Sequence, residues 1–592
     1  MIEAEVHLSL HNFLRSQAGF PSWPHHLTMA RLVARALRLE RSALIQVGAA
    51  SGYQGRYRTS FVASALMWRG PVIIVAPQAV QQRLAKVEIP HLQQWLQVNK
   101  AIRTGDAWPG GEFQGLLLVS PEAWLKAQLA SCENFPSGIP TIIDGVDDLE
   151  DWVRHQLTVT LEADDWEELM LACPNQAEVI RSTRVQLTHE LFKHPANPYE
   201  CYLISQAEEE ILLRLYSAID RSSLPDAWKK FWQQFQHRRE IPHLPISPLP
   251  PNPNTNPLKS TPPTQLAPPW EPLAPPSGVS SPEAAPTHSP GSGNPPAAPQ
   301  FLHEGNPPPN YSLSHHLPIS PSLLWATIAR RQGLFSLHCT PIELGKILSP
   351  IWSRQPVVFI GNALEPETEA PLFRQRLGLD DDLTCVKFSS DSQTEAIQLY
   401  VPYQLPLPNT PEFQPAFIHK VLTLVCLSAT SPGLTVVLVG DVPLKSQVGT
   451  TLASEFGSRV QVEKTCLDEN GILVSGWEFW REHQKVLPAP QLLVIATLPL
   501  PSLENPLVAG RVAHYKRLHQ DWFRLYLLPM ALNELQRAIA PLRESKGIVA
   551  LLDSRVIIRS YGAQVLTALS PLARINYLDP NLFSSAREDD SA

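Results

Sequence analysis

The chain has 592 residues, 44% hydrophobic and 18% charged, with a formal net charge of −8; that length allows two or more domains with their own cores, and the acidic balance excludes a broad basic face but not a narrow basic channel. Seven cysteines without a CxxC pair exclude a disulfide framework and a zinc site and point to a reduced, cytoplasmic protein. No basic-then-apolar leader and no apolar run of about 18 residues is seen, so no membrane is expected.

In chain order, short apolar runs alternate with amphipathic stretches. Residues 42–47, 71–76, 116–119 and 141–143 predict buried strands; 27–39 and 61–68 predict helices, and 161–240 reads as helical. The stretch 241–310 holds 23 of the 59 prolines, mixed with Ser, Thr, Asn and Gly. With few large apolar side chains and few backbone donors it cannot pack a core, so 241–318 reads as a disordered linker whose PxxP strings fit a protein partner. Beyond it, strands are predicted at 356–360, 434–439, 471–474, 492–496 and 548–552, and a helix at 534–539. Apolar strands alternating with helices imply parallel sheets covered on both faces, in two α/β halves.

Candidate chemistry sits at the strand ends. Gly48, Gly52 and Gly55 space a loop between a strand and a helix, the arrangement in which backbone N–H groups crowd a phosphate. The Lys that would reach the outer phosphates is missing. Arg56 or Arg58 offers charge in its place, a planar fork instead of a compact ammonium, and Thr59 or Ser60 offers the Mg²⁺-binding hydroxyl. The strand at 141–143 runs into the acidic residues Asp144, Asp147 and Asp148, and Gln81, Gln82 and Arg83 follow the strand at 71–76. Residues 511–559 hold nine Lys/Arg against four Asp/Glu, among Tyr515, Trp522 and Tyr526. That mixture suits backbone contact and base stacking, with Lys516 and Arg517 as candidate contacts.

These motifs and their order resemble superfamily 2 DNA helicases of the DinG/XPD group, over roughly residues 20–160 and 320–570. His26, three residues before Met29, stands where the group has an adenine-contacting Gln; Asp144 stands at its metal-binding Asp and Gly145 in place of the Glu that positions water, with Asp147 or Asp148 as alternatives, while Gln81, Gln82 and Arg83 stand at its phosphodiester contacts. Residues 361–364 stand for its Ser-Ala-Thr-Leu strand end, 373–379 continue as the family does, and 528–531, 535–539 and 547–555 with Tyr561 and Gly562 match its C-terminal signature. The resemblance implies two RecA-like parallel-sheet domains separated by a Pro-rich disordered insertion. Residues 1–160 are then the first domain, 161–240 a helical insertion, 241–318 the linker, 319–370 a return to the first domain and 371–592 the second. It also implies ATP with Mg²⁺ as cofactor and single-stranded or forked DNA as partner. The chain departs from the pattern at the missing Lys, at Gly145, and at Ala540 and Pro541 in place of Gly-Arg, with Arg543 displaced from the arginine-finger position. Many members hold an iron–sulfur cluster with four cysteines between the phosphate loop and the Asp; only Cys132 lies there, so no cluster is expected.

Three functional readings stay open on the sequence. One is a nucleic-acid-binding helicase relative with weakened or lost ATPase activity. Another is an active ATP-dependent DNA helicase with unorthodox motifs. The third is a protein-interaction scaffold that binds neither ATP nor DNA.

Overall fold

A computed structural model describes residues 2–16, 23–49, 53, 55–130, 134–237, 321–388, 396–579 and 581–584. Gly52, Cys132 and the linker read at 241–318 lie outside the described residues.

Strands β1 (Ala43–Gln46), β2 (Val72–Val75), β3 (Ile102–Thr104), β4 (Leu116–Val119) and β5 (Thr141–Asp144) open a parallel sheet. Every residue of β1, β2, β4 and β5 is buried, the signature of strands covered on both faces. Next come β6 (Val159–Leu161), β7 (Cys201–Leu203), β8 (Ser322–Ala329) and β9 (Leu334–Pro341), which form a separate antiparallel sheet in the order β6-β9-β8-β7. Helices Ala163–Ala172, Ala177–Phe192, Gln206–Ala218 and Asp226–His237 supply its core, around Trp166, Trp228, Phe231 and Trp232. The chain then returns to the first sheet with β10 (Val357–Gly361) and β11 (Thr384–Lys387), giving the order β11-β1-β10-β5-β2-β4-β3.

A second seven-stranded parallel sheet takes β12 (Ile397–Tyr400), β13 (Thr435–Leu438), β14 (Val460–Val462), β15 (Ile472–Ser475), β16 (Leu492–Ile495), β17 (Ile548–Leu551) and β18 (Leu572–Ile575), ordered β14-β15-β13-β16-β17-β12-β18. The two parallel-sheet α/β halves expected from the alternation are present. Their domain boundaries differ from the sequence reading. Residues 322–341 pair with β6 and β7, not with the first sheet, because β8 and β9 form a long hairpin that turns at Gly333 in the left-handed region (φ +67°). Residues 384–387 stay at the edge of the first sheet, alongside β1, beyond the boundary read at 370. Among the described residues no helix is long and apolar enough to cross a membrane.

Candidate functional site

In a parallel α/β sheet the loops leaving the carboxyl ends of the strands gather at one edge, where such folds bind ligands. Here β10 lies between β1 and β5, so the loops after these three strands are neighbours. Gly48, at φ +87°, donates its N–H to the carbonyl of Asn362 at 2.7 Å. Asp147 accepts the N–H groups of Asn362 and Ala363 at 2.8 and 3.2 Å, fixing the loop after β10. Burial pushes the Asp147 carboxyl up, against the pull of Arg537.

Asp144 is buried at the end of β5, 1% exposed. One oxygen takes the Tyr57 hydroxyl and the other takes Arg58 Nε at 2.7 Å, on a guanidinium that is itself buried. Burial and the Asp144 charge raise the Tyr57 phenol well above its ordinary value, so it stays a donor. Burial disfavours the Arg58 charge, but Asp144 more than restores it. The guanidinium lies over the loop itself: a Cβ on Gly55, at φ +67°, would collide with it. Of the two arginines read as stand-ins for the missing Lys, Arg58 meets Asp144 and Arg56 is half-buried in the turn before it.

The remaining loop residues are used inside the fold. His26 Nδ1 shares a hydrogen bond of 2.9 Å with buried Ser60 Oγ, and burial lowers the imidazole to about 4, so it is neutral. Thr59 is half-buried one position before it. Gly145 sits at φ +88°, a backbone position that favours glycine where the family would carry Glu.

Facing this edge is a cleft of about 380 Å³ lined by Tyr53, Trp152, Asn362, Arg481, Lys485 and Arg537. Two contacts span it: Arg537 Nη1 meets Asp148 Oδ1 at 2.6 Å, and the Tyr53 hydroxyl donates to the carbonyl of Gln484 at 2.7 Å. The sequence reading offers Asp148 only as an alternative to the missing Glu, and it misses Tyr57 and Arg537 as members of this site. The Asp-Asp pair at 147–148 was the available signal, but its partner lies on a distant helix.

Several expected contacts are placed elsewhere. Arg543 donates to the carbonyls of Leu569, Ser570 and Pro571 at 2.8 to 3.1 Å and is 5% exposed. It lies six residues beyond Arg537 on helix Leu528–Ser545, about 600° of rotation, which turns it to another face. Gln81 is buried and its amide donates back to the Ala76 carbonyl, so it presents nothing outward. Arg83 is exposed and paired with Glu88 at 2.9 Å. Lys516 and Arg517 are exposed, Lys516 lying 5.2 Å from the Trp522 ring centre. The basic stretch 511–559 is not one continuous face. Arg511 lies against the Tyr526 ring and donates to its hydroxyl at 3.3 Å, while Arg537, Arg543 and Arg555 bond internally.

No family model matches the chain. The ATP-dependent DNA helicase YoaA of Haemophilus influenzae is 24% identical over 257 residues, 41% of this chain and 40% of the relative. YoaA of Escherichia coli K12 is 22% identical over 252 residues, 40% of each. The match thus spans less than half the length of either relative. Among solved structures, Xpd4 from S. tokodaii matches with a TM-score of 0.52 at 12% identity, over 93% of this chain and 100% of that one. An apo XPD matches with a TM-score of 0.50 at 10% identity and the same coverage. At such identity these structures speak to the fold alone: the chain shares the fold of the XPD helicases and is similar, over part of its length, to the YoaA DNA helicases.

Proposed function

We propose that this protein binds DNA, single-stranded or forked, as a helicase relative whose ATP hydrolysis is weakened or lost. The observation that carries the reading is the buried Arg58–Asp144 pair. Mg²⁺ and the phosphates of ATP need a carboxylate open to the cation and loop amides free to donate. Both Asp144 oxygens are taken by Tyr57 and Arg58, the Gly48 amide is given to Asn362, and an internal guanidinium rests on Gly55. A divalent cation at Asp144 would stand against that guanidinium, so the residues present do not fit Mg²⁺ while the pair is made. Gly145 leaves no carboxylate to orient water. The nucleic-acid part rests on likeness to the YoaA helicases and on the exposed Lys516 and Arg517 beside Trp522.

The persistence of the cleft of about 380 Å³, with Arg481, Lys485 and Arg537 on its wall, favours a second reading: an ATP-dependent helicase with unorthodox residues. In that reading Arg537, not Arg543, is the cleft arginine. Titration with a fluorescent ATP analogue with and without Mg²⁺, followed by phosphate release in the presence of a single strand, separates the two. The degenerate reading expects no Mg²⁺-dependent gain in binding and no turnover. Micromolar affinity with turnover in the ordinary range of about 1–10³ per second would overturn it.

A further inference from the structure

A larger cavity, about 620 Å³, shares no lining residue with that cleft and lies where helix Gly345–Trp352, helix Pro371–Leu377 and helix Pro506–Arg517 meet the end of β9. Its volume is that of a small-molecule site. Three cations line it, Arg154, Lys346 and Arg376, with one carboxylate, Glu343, and with His514 and Tyr515. Two of the cations, Arg154 and Arg376, are held by Glu150. Arg154 bonds Glu150 at 2.9 Å and the carbonyls of Pro341 and Ile342 at 3.0 Å, and Arg376 bonds Glu150 at 3.2 Å. Burial alone would raise Glu150, but Arg154, Arg376 and Arg511 hold it down to about 2, so it stays charged and keeps the fork in place. Opposite, Glu343 is tied to His514 at 3.3 Å and to Lys346 at 3.4 Å. The Tyr515 ring is backed by Tyr526, stacked with centroids 6.0 Å apart, and is half-buried.

A preset guanidinium and an ammonium beside a supported aromatic ring suit a ligand with an anion at one end and a flat π-face at the other. We propose that this cavity seats one nucleotide unit, its phosphate against Arg376 and Lys346 and its base against Tyr515. The proposal rests on the nucleic-acid reading in so far as the nucleotide belongs to a bound strand; a free nucleoside monophosphate has the same chemistry.

The test uses the full chain and two probes, a short single strand carrying one fluorescent adenine analogue and the monophosphate of that analogue. Stacking on Tyr515 quenches the fluorescence of whichever probe enters. Quenching by the strand alone assigns the site to a strand nucleotide, and quenching of both assigns it to any nucleotide; either supports the proposal. Tyr515→Leu removes the quench and weakens the responding probe about tenfold or more, the scale of one lost base stack. Lys346→Glu, on a residue whose side chain is 65% exposed and whose change leaves the core intact, weakens the same probe. Quenching that survives both changes, or quenching of neither probe, overturns the proposal. If no strand binds at any salt concentration, the nucleic-acid reading has failed, and the monophosphate arm still decides the cavity.

Discussion

Asp144 and Glu150 leave the end of β5 six residues apart and both meet arginine, with opposite outcomes. At Asp144 the pair is turned inward: Tyr57 donates to the second oxygen, Arg58 lies over the loop backbone, and Asp and Arg are both buried. At Glu150 the acid holds Arg154 and Arg376 from behind, and their other side faces a cavity of about 620 Å³. The same residue types make a plug in one place and a presented cationic wall in the other. What decides is the far side of the arginine, backbone in the first case and open space in the second.

The largest effect expected from that contrast is on stability. Asp144→Ala strands the buried Arg58 charge, and breaking a buried pair from one side costs about 3–5 kcal/mol. Urea unfolding of the variant measures it. An Asp144 free to hold a metal predicts instead a fold of unchanged stability with lost turnover, so a shift below about 1 kcal/mol would break the plug half of the comparison.

A second effect comes from His26, beside the plug. Its pKa falls from 6.5 to about 4 on burial, with His25 adding to the shift, so the unfolded chain binds a proton that the folded chain refuses. The stability it contributes is therefore complete above pH 6.5 and is lost as pH falls from 6.5 toward 4. The ceiling is about 3 kcal/mol, from 1.36 kcal/mol per unit. His26→Gln keeps a hydrogen-bonding group for Ser60 and flattens the stability curve across that window. An unflattened curve would mean that His26 is already protonated in the folded protein.

Much of this was legible in the sequence, and the misses have physical causes. The strands β1, β2, β4, β5, β10, β13, β15, β16 and β17 stood out because strands buried on both faces are continuous apolar runs. The edge strands β3 and β14 have only three residues each and include exposed positions, so no run marks them. The β8–β9 hairpin escaped because β8 is almost wholly buried and lacks the alternation of a half-exposed antiparallel strand. Asp144 at a strand end was readable from position alone. That Arg58 turns back onto Gly55 was not, since a side chain on a loop has no period to set its direction. Gln81 and Arg543 failed for a related reason: a polar residue on a helix is read as outward until its backbone partner is known, here Ala76 for one and the carbonyls at 569–571 for the other.

Arg537 sharpens the comparison from the cleft side. Its partner Asp148 is 45% exposed, so solvent screens the pair and Arg537→Ala is expected to cost about 1 kcal/mol or less. The loss should shrink as salt rises, because counterions reach and screen a solvent-exposed pair. The Asp144→Ala loss should keep its size across the same salt series. Equal salt sensitivity in the two variants would mean that the first pair is not sealed.

The smallest effect on stability belongs to the residues proposed to contact nucleic acid. Lys516 and Arg517 are exposed, so reversing both to Glu should change unfolding by no more than about 0.5 kcal/mol, the ordinary range for surface positions. Strand binding is where they are expected to act. Each phosphate contact to a single strand contributes about 0.7 to the slope of log K against log salt, so losing both should flatten the slope by about 1.4 and weaken all sequences alike. Lys516 also gives up its position over Trp522, a contribution of about 0.5 kcal/mol at an exposed site. Fluorescence anisotropy with two unrelated strands, between about 50 and 200 mM salt, reads both quantities. An unchanged slope would place the strand elsewhere. A slope change confined to one sequence would turn the contact from backbone to base, and the cavity beside Tyr515 would then be the place to look for its origin.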